Sequence, residues 1–506
     1  MKIPGENFRD FFYLLFVVVS LNYIFLYLAH KKIYKTLFNM TEIKATLRDS
    51  KTARWLVLIL VSFTMMCAYY LTDAMAPLQE RLQANLSWSA SDYGFFTSGY
   101  GWFNVFLLML VFSGMILDKM GVRFTGILSI GIMLIGAAIK YWAISGHVQG
   151  MFELNILGWQ VIASSAKSSV VAGFGFAIFG VGCEMFGIAA NKAVVRWFRG
   201  KEMALAIGLN TSTGRIGTAL AMFTPIPLVR MTGDISSPVL LALVFLCIGM
   251  LVFILFTFMD RKLDKEDADA GVAADEEFKF ADIIEIGRNR AFWYITTLCV
   301  LFYSAVFPFI KYATNMIVQK FDISDTFAGY IPALLPFGAL LLTPVFGSVF
   351  DKKGKGASIM IFGSILLVCV HLLFSIPSLN SFPIAIGLVI LLGIAFSMVP
   401  AAMWPSIAKI IPHSKLGTAY AMTFWVQNWG LMGVPLLIGV VLDKYCITGT
   451  INKLVDGKEQ VVTQYNYMIP MLIFAFFGFL AIGFALLLKA EDRKKGYGLE
   501  KPNIKE

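Results

Sequence analysis

The sequence predicts an all-α integral membrane protein of two six-helix bundles, preceded by one further helix. Three observations predict it. The 506 residues are 58% hydrophobic and only 15% charged, with a mean hydropathy of +0.73, which is more apolar surface than a soluble chain can bury. The apolar residues fall into runs long enough for spans of about 20 residues each. An octet at 114–121, GMILDKMG, returns at 347–354 as GSVFDKKG, so one half of the chain repeats the other.

The spans read in order as 11–29, 55–75, 95–117, 124–143, 169–195, 203–228, 238–259, 291–317, 326–350, 357–376, 382–408, 417–442 and 466–488. The first is long enough to cross, and the residues before it (Glu6, Arg9, Asp10) lack the basic start of a signal peptide. It is read as a retained helix, with a cleaved signal or an interfacial helix as the alternatives. The polar stretch 260–290 is charged and rich in Ala, Asp and Glu, as expected of a solvated linker with one amphipathic helix on the membrane. The expected division is therefore 1–54 (extra helix and basic linker), 55–260, linker 261–290, 291–490, and a tail at 491–506. With the Asp-Lys turns placed in the cytoplasm, cytoplasmic segments hold 29 of the 42 basic residues, which orients the chain with its C-terminus inside. A bacterial cytoplasmic (inner) membrane is the expected location.

The repeated turn has a physical purpose. Gly114 and Gly121, like Gly347 and Gly354, suit close helix approach and a tight turn. Asp118 and Asp351 are placed to meet the positive N-terminus of a helix from the opposite half. Lys119, Lys352 and Arg123 are expected to hold the turns at lipid phosphates. Such contacts would latch two halves together on one face and release as they move, as in secondary transporters with a mid-membrane site.

Each half also opens its fifth span similarly, with FRGKEMALAIGL from 198 and PHSKLGTAYAM from 412. The paired turns, the six-plus-six plan and the long central loop resemble the major facilitator superfamily over roughly residues 55 to 490. WFRGKE (197–202), GRIG (214–217), YSAVFPFI (303–310), WPSIAKIIP (404–412), LGTAYAM (416–422) and VQNWGL (426–431) resemble its lysosomal dipeptide-transporter branch. That resemblance implies carriage of short peptides by alternating access, without ATP. The chain departs from the branch at Phe176, ahead of Gly180, where many members carry an Arg that would bear on proton coupling.

Ionisable residues inside spans cost about 2.5–3.5 kcal/mol each on insertion scales and need a reason. At a rise of about 1.5 Å per residue, Glu184 and Arg215 both fall near mid-membrane. They are read either as a structural pair or as the two ends of a clamp, Arg215 taking a carboxylate bidentately and Glu184 a free amine. The resemblance implies the clamp. Tyr303, Gln427 and Asn428 fall at the same level, with Trp404 nearer the cytoplasm, and complete the expected substrate site. Lys140, Lys192 and Lys311 lie nearer the span edges, where snorkelling accounts for them. Asp73 and Asp92 read as caps or loop anchors, and His371 as a helix contact.

Other classes fit less well. RGKE, KGKG and DGKE each fail the last position of a nucleotide-binding P-loop. Four scattered His and six unpaired-looking Cys form no metal-ligand pattern, so no enzyme, cofactor or metal is expected. The expected function is a secondary active or facilitative transporter of dipeptides or related zwitterions. An organic-anion antiporter using Arg215, with Glu184 structural, is the alternative. Expected partners are a small-molecule substrate, co-transported protons and the lipid bilayer. Nucleic acid is not among them, and a monomer suffices.

Overall fold

Helices dominate because the backbone of a span must satisfy its own polar groups in lipid. The computed structural model describes residues 47, 49–156, 159–198, 201–269, 280–412 and 415–502; the expected first span, 11–29, lies outside them. The first half runs α1 (Lys51–Asp73), α2 (Gln79–Leu86), α3 (Ala90–Ser98), α4 (Trp102–Phe106), α5 (Met109–Ile144), hairpin β1 (Met151–Ile156) and β2 (Trp159–Ala166), α6 (Lys167–Trp197), α7 (Met203–Phe223), α8 (Pro225–Thr232) and α9 (Ser237–Asp269). In the linker, α10 spans Phe280–Gly287. The second half runs α11 (Arg290–Phe321), α12 (Tyr330–Lys353), α13 (Gly356–Ser375), α14 (Phe382–Ile410), α15 (Leu416–Tyr445), hairpin β3 (Ile447–Val455) and β4 (Lys458–Tyr465), and α16 (Met468–Lys495).

Ten helices among the described residues are long and apolar enough to cross a membrane. Two more crossings complete two six-helix bundles. The polar run Asn210–Arg215 lowers the apolarity of α7. The expected span 95–117 is broken into α3, a short 3-10 turn, α4 and the start of α5, with Leu108 at a positive φ of 51°. α5 then continues past the first turn, bent at Gly121, whose φ of 77° only glycine adopts cheaply. The expected span 203–228 stops at Phe223 because Pro225 opens a separate helix, α8.

Within the first half, α5 and α6 approach through glycines. A Cβ on Gly136 would lie 2.4 Å from the Phe179 nitrogen, and one on Gly182 would lie 2.5 Å from the Ser129 carbonyl. Small residues permit this backbone contact, which drives helix association where lipid removes the hydrophobic gain.

Two antiparallel hairpins, each a sheet of its own, lie on the face opposite the paired turns; we call the two faces the hairpin face and the turn face. The β3–β4 turn is built on Asp456 and Gly457, both at positive φ, an Asp-Gly pair suited to a two-residue hairpin loop. Its tip crosses to the other half. Asp456 takes both Arg81 nitrogens at 2.9 and 2.8 Å, Lys453 meets Glu80 at 2.7 Å, and Gln83 donates to Thr463 at 2.6 Å. Beneath the tip, Lys311 of α11 reaches Asp73 of α1 at 2.5 Å, and Tyr93 donates to the Lys311 carbonyl at 2.9 Å.

The turn face differs. Among the described residues its ion pairs lie within one half: Arg123 and Arg196 hold Asp260 and Asp264, and Arg54 holds Glu202. Leu499 and Glu500 lie against the second turn, where Glu500 accepts from the Ser358 amide at 2.9 Å and its hydroxyl at 2.8 Å. Leu341 and Val345, on the turn-face half of α12, are exposed. The described ion pairs between the halves thus lie at the hairpin face.

Candidate functional site

Midway along α7, Arg215 enters a ring of aromatic side chains. Its guanidinium carbon lies 4.9 Å from the Phe396 ring centre, 5.3 Å from Phe307 and 5.6 Å from Tyr69. Phe307 (α11) and Phe396 (α14) belong to the opposite half, and Tyr69 to α1. Cation–π contacts of this kind contribute about 0.5–2 kcal/mol each, depending on desolvation. Among the described residues no carboxylate lies within salt-bridge distance of Arg215.

Glu184, on α6, accepts a hydrogen bond from the Tyr100 hydroxyl at 2.9 Å and lies beside Asn428 of α15. It does not pair with Arg215. Tyr69 sits within electrostatic reach of both charges, which places acid and base around one aromatic floor without neutralising each other. The reading of these two as a structural ion pair is therefore not what the geometry shows.

The other expected site residues separate. Tyr303 belongs to the cluster: its ring meets Phe307 at 5.0 Å and Phe396 at 6.2 Å, and its hydroxyl accepts from Trp404 Nε1 at 3.3 Å. Trp404 packs on Phe424 at 4.9 Å. Asn428 donates to the Phe424 carbonyl at 2.9 Å while its Oδ1 is buried without a partner. Gln427 turns away. Its carbonyl faces Cys299 at 3.7 Å, so it joins α15 to α11. Tyr69, Tyr100, Phe307 and Phe396 were not foreseen from sequence. Phe307 carried a signal, since it stands four residues after Tyr303 and must share its helix face.

Several edge assignments change. Lys140 is fully buried; its ammonium donates to the Leu71 carbonyl at 3.2 Å and lies 4.4 Å from the Phe176 ring. Lys311 lies 5.8 Å from the same ring. Phe176 therefore receives two cations, one from α5 and one from the opposite half, where snorkelling had been expected. Asp73 is the partner of Lys311 rather than a cap. Asp92 does anchor its loop, through a capping box with Ser89 and bonds from the Ala166 amide and Ser169 hydroxyl, both at 3.1 Å. His371 bonds the Ala305 carbonyl at 3.0 Å, a helix contact.

At the paired turns, Asp118 accepts from Lys192 at 2.7 Å, so Lys192 is a partner within the same half and not a snorkelling group. Arg123 reaches Asp260 and Asp264 instead of lipid phosphates. Lys119 and Lys352 are exposed. Gly121 and Gly354 both have positive φ and make the turn, but a Cβ on Gly114 or Gly347 would meet nothing within 4 Å. The close approach expected at those two glycines is absent among the described residues.

Two bundles of membrane-spanning helices tied together at one face, with an acid and a base between them that do not pair with each other, have the architecture of a membrane carrier. The chain belongs to the Major Facilitator Superfamily, whose model matches residues 58–435. It is 28% identical over 409 residues to the lysosomal dipeptide transporter MFSD1 of Homo sapiens, covering 77% of this chain and 80% of that protein. A shorter match, 26% over 166 residues, is to the inner membrane transport protein YdiN of Escherichia coli, 31% of this chain and 38% of that one. Among solved structures, a bacterial homolog of the human lysosomal transporter Spinster, inward-facing and unoccupied, superposes with a TM-score of 0.64 at 16% identity, over 88% of this chain and 98% of the other. The inward-open xylose transporter XylE of E. coli gives 0.60 at 14% identity, over 86% and 95%.

Proposed function

We propose that this protein carries dipeptides or related zwitterions by alternating access, as a secondary active or facilitative transporter. The observation that carries the reading is the pair of unneutralised charges: Arg215 caged by rings without an acid, and Glu184 held by Tyr100 at the same level. A free carboxylate can use the guanidinium fork, and a free amine can meet the carboxylate, while Tyr303 and Phe396 accept the apolar middle. The similarity to dipeptide transporters supports this substrate class. The turn face is the cytoplasmic one in this reading, with the C-terminus inside, in a bacterial inner membrane; where the transport is secondary active, protons are the co-transported ion. The organic-anion antiporter is the second reading, favoured by one observation: Glu184 already has a donor in Tyr100.

A thermal-shift panel of dipeptides, amino acids, sugars and organic anions, followed by flux in proteoliposomes, tests it. Dipeptides should raise the melting temperature and be transported. Stabilisation by organic anions that lack an amine, without any by dipeptides, would replace this reading with the antiporter.

The paired turns act in the same reading as latches that close the turn face. Asp118→Asn and Asp351→Asn are expected to slow flux and shift the population of the two faces by up to about fivefold, since a carboxylate at an exposed helix end contributes roughly 0.3–1 kcal/mol. Affinity in the competent state should be kept. Cysteine accessibility on each face measures it; unchanged flux and accessibility in both variants would make the turns ordinary loops.

A further inference from the structure

The pattern Gly-x-x-x-Asp-Lys of the paired turns occurs a third time, as GVVLDK at 439–444. This copy ends α15 at the hairpin face, and its glycine and aspartate make the contacts foreseen for the other two. A Cβ on Gly439 would lie 2.4 Å from the Ala90 carbonyl and 3.1 Å from the Gly94 Cα, and one on Gly94 would lie 2.7 Å from the Pro435 carbonyl. Backbone meets backbone there, across the two halves. Asp443 accepts from the Ala90 amide at 3.1 Å and the Ser91 amide at 2.6 Å. These are the first two amides of α3, which lack intrahelical partners; the third, on Asp92, is taken by Ser89. A carboxylate from one half therefore completes the N-terminus of a helix in the other, where the dipole favours negative charge. Tyr465 of β4 donates to the same carboxylate at 3.2 Å, joining the hairpin to it.

The three copies differ in a consistent way. Gly439 is in contact, whereas Gly114 and Gly347 face open space. At the face tied by ion pairs between the halves the copy is engaged; at the other, the two glycines are not.

We propose that residues 439–444 form a third latch, the hairpin-face counterpart of the paired turns, and that opening toward the hairpin face requires its release. The two sets of latches then exchange: Gly439 and Asp443 disengage as the turn-face copies engage. The inference rests on the alternating-access reading for its direction, but not on the substrate.

Labelling of Thr314→Cys tests it, since Thr314 is buried and lines a small space between the halves beneath the hairpin face, with Arg81 and Ile226. A membrane-impermeant maleimide is added from that face, and the rate is read above the parent's background. Asp443→Asn removes the charge and sets an amide N–H against backbone N–H; Gly439→Ala sets a methyl against a carbonyl that cannot give way. Each is expected to raise labelling roughly three- to tenfold. Gly433→Ala, on the same helix with nothing within 4 Å, should leave it unchanged. Asp118→Asn should lower it. Unchanged labelling in folded Asp443→Asn and Gly439→Ala overturns the proposal, as does failure of both to fold, which would make the contact a permanent seam. Because labelling needs no substrate, raised labelling in a protein that carries no dipeptide would remove the substrate reading and leave the latch standing.

Discussion

Arg215→Ala is expected to abolish discrimination between a dipeptide and its C-terminal amide, and Glu184→Gln to abolish discrimination between a free and an acetylated N-terminus. The first follows from geometry. Arg215 is fixed by three rings and has no acidic partner among the described residues, so its fork is available to a planar carboxylate and of little use to an amide. Losing one charge-assisted hydrogen bond costs about 1.5–3 kcal/mol, which is roughly ten- to a hundredfold in affinity. Arg215→Lys should recover little, because an ammonium is a point charge without the fork. For Glu184, the Tyr100 donor remains in the Gln variant, so the pocket keeps its shape while the amine loses its counter-charge. Alanyl-alanine, its amide and its N-acetyl form, measured against both variants, separate the outcomes. Selective loss supports the clamp. Equal loss for all three ligands in folded protein rejects it. Rescue by the charge-swapped double variant is not expected, because the two side chains are not bonded to each other.

How much of this was legible beforehand differs from residue to residue. Span order, the six-and-six plan and the common depth of Glu184 and Arg215 follow from apolar run length and the helical rise, which are one-dimensional quantities. Rise along a helix gives level but not direction around it. Gln427 and Asn428 share a level, yet only Asn428 faces Glu184, while Gln427 faces Cys299. Lys140 and Lys311 looked peripheral for the same reason: their level was near the edge, but their partners (Leu71, Phe176 and Asp73) came from other helices. Two features were readable and passed over. Asp456-Gly457 between alternating residues is a hairpin signal, and GVVLDK repeats the pattern of the paired turns on the opposite face. The break of the second crossing had only weak signs, in the glycines at 94, 99 and 101.

The largest effect on stability is expected at Asp260. This carboxylate is 1% exposed and accepts from Trp197 Nε1 at 2.9 Å, Arg196 at 3.1 Å and Arg123 at 3.4 Å. It binds the ends of α5, α6 and α9 at the turn face. Removing it by Asp260→Ala leaves the buried Trp197 indole N–H without its acceptor, which costs about 1–3 kcal/mol, while Arg123 and Arg196 lose their buried partner and keep Asp264. Its neighbour Asp264 holds the same two arginines but is more than a third exposed, so solvent screens it; Asp264→Ala should cost about 0–1 kcal/mol. The contrast between two acids four residues apart, with the same cations, isolates burial as the cause. Replacing Trp197 by Phe together with Asp260→Ala should recover part of the loss, because the orphaned indole N–H is then gone. Thermal unfolding in detergent, without ligand, measures all three. Equal melting temperatures for Asp260→Ala and Asp264→Ala would show that the arginines find other partners, and that the turn-face ends of these helices are not held by Asp260.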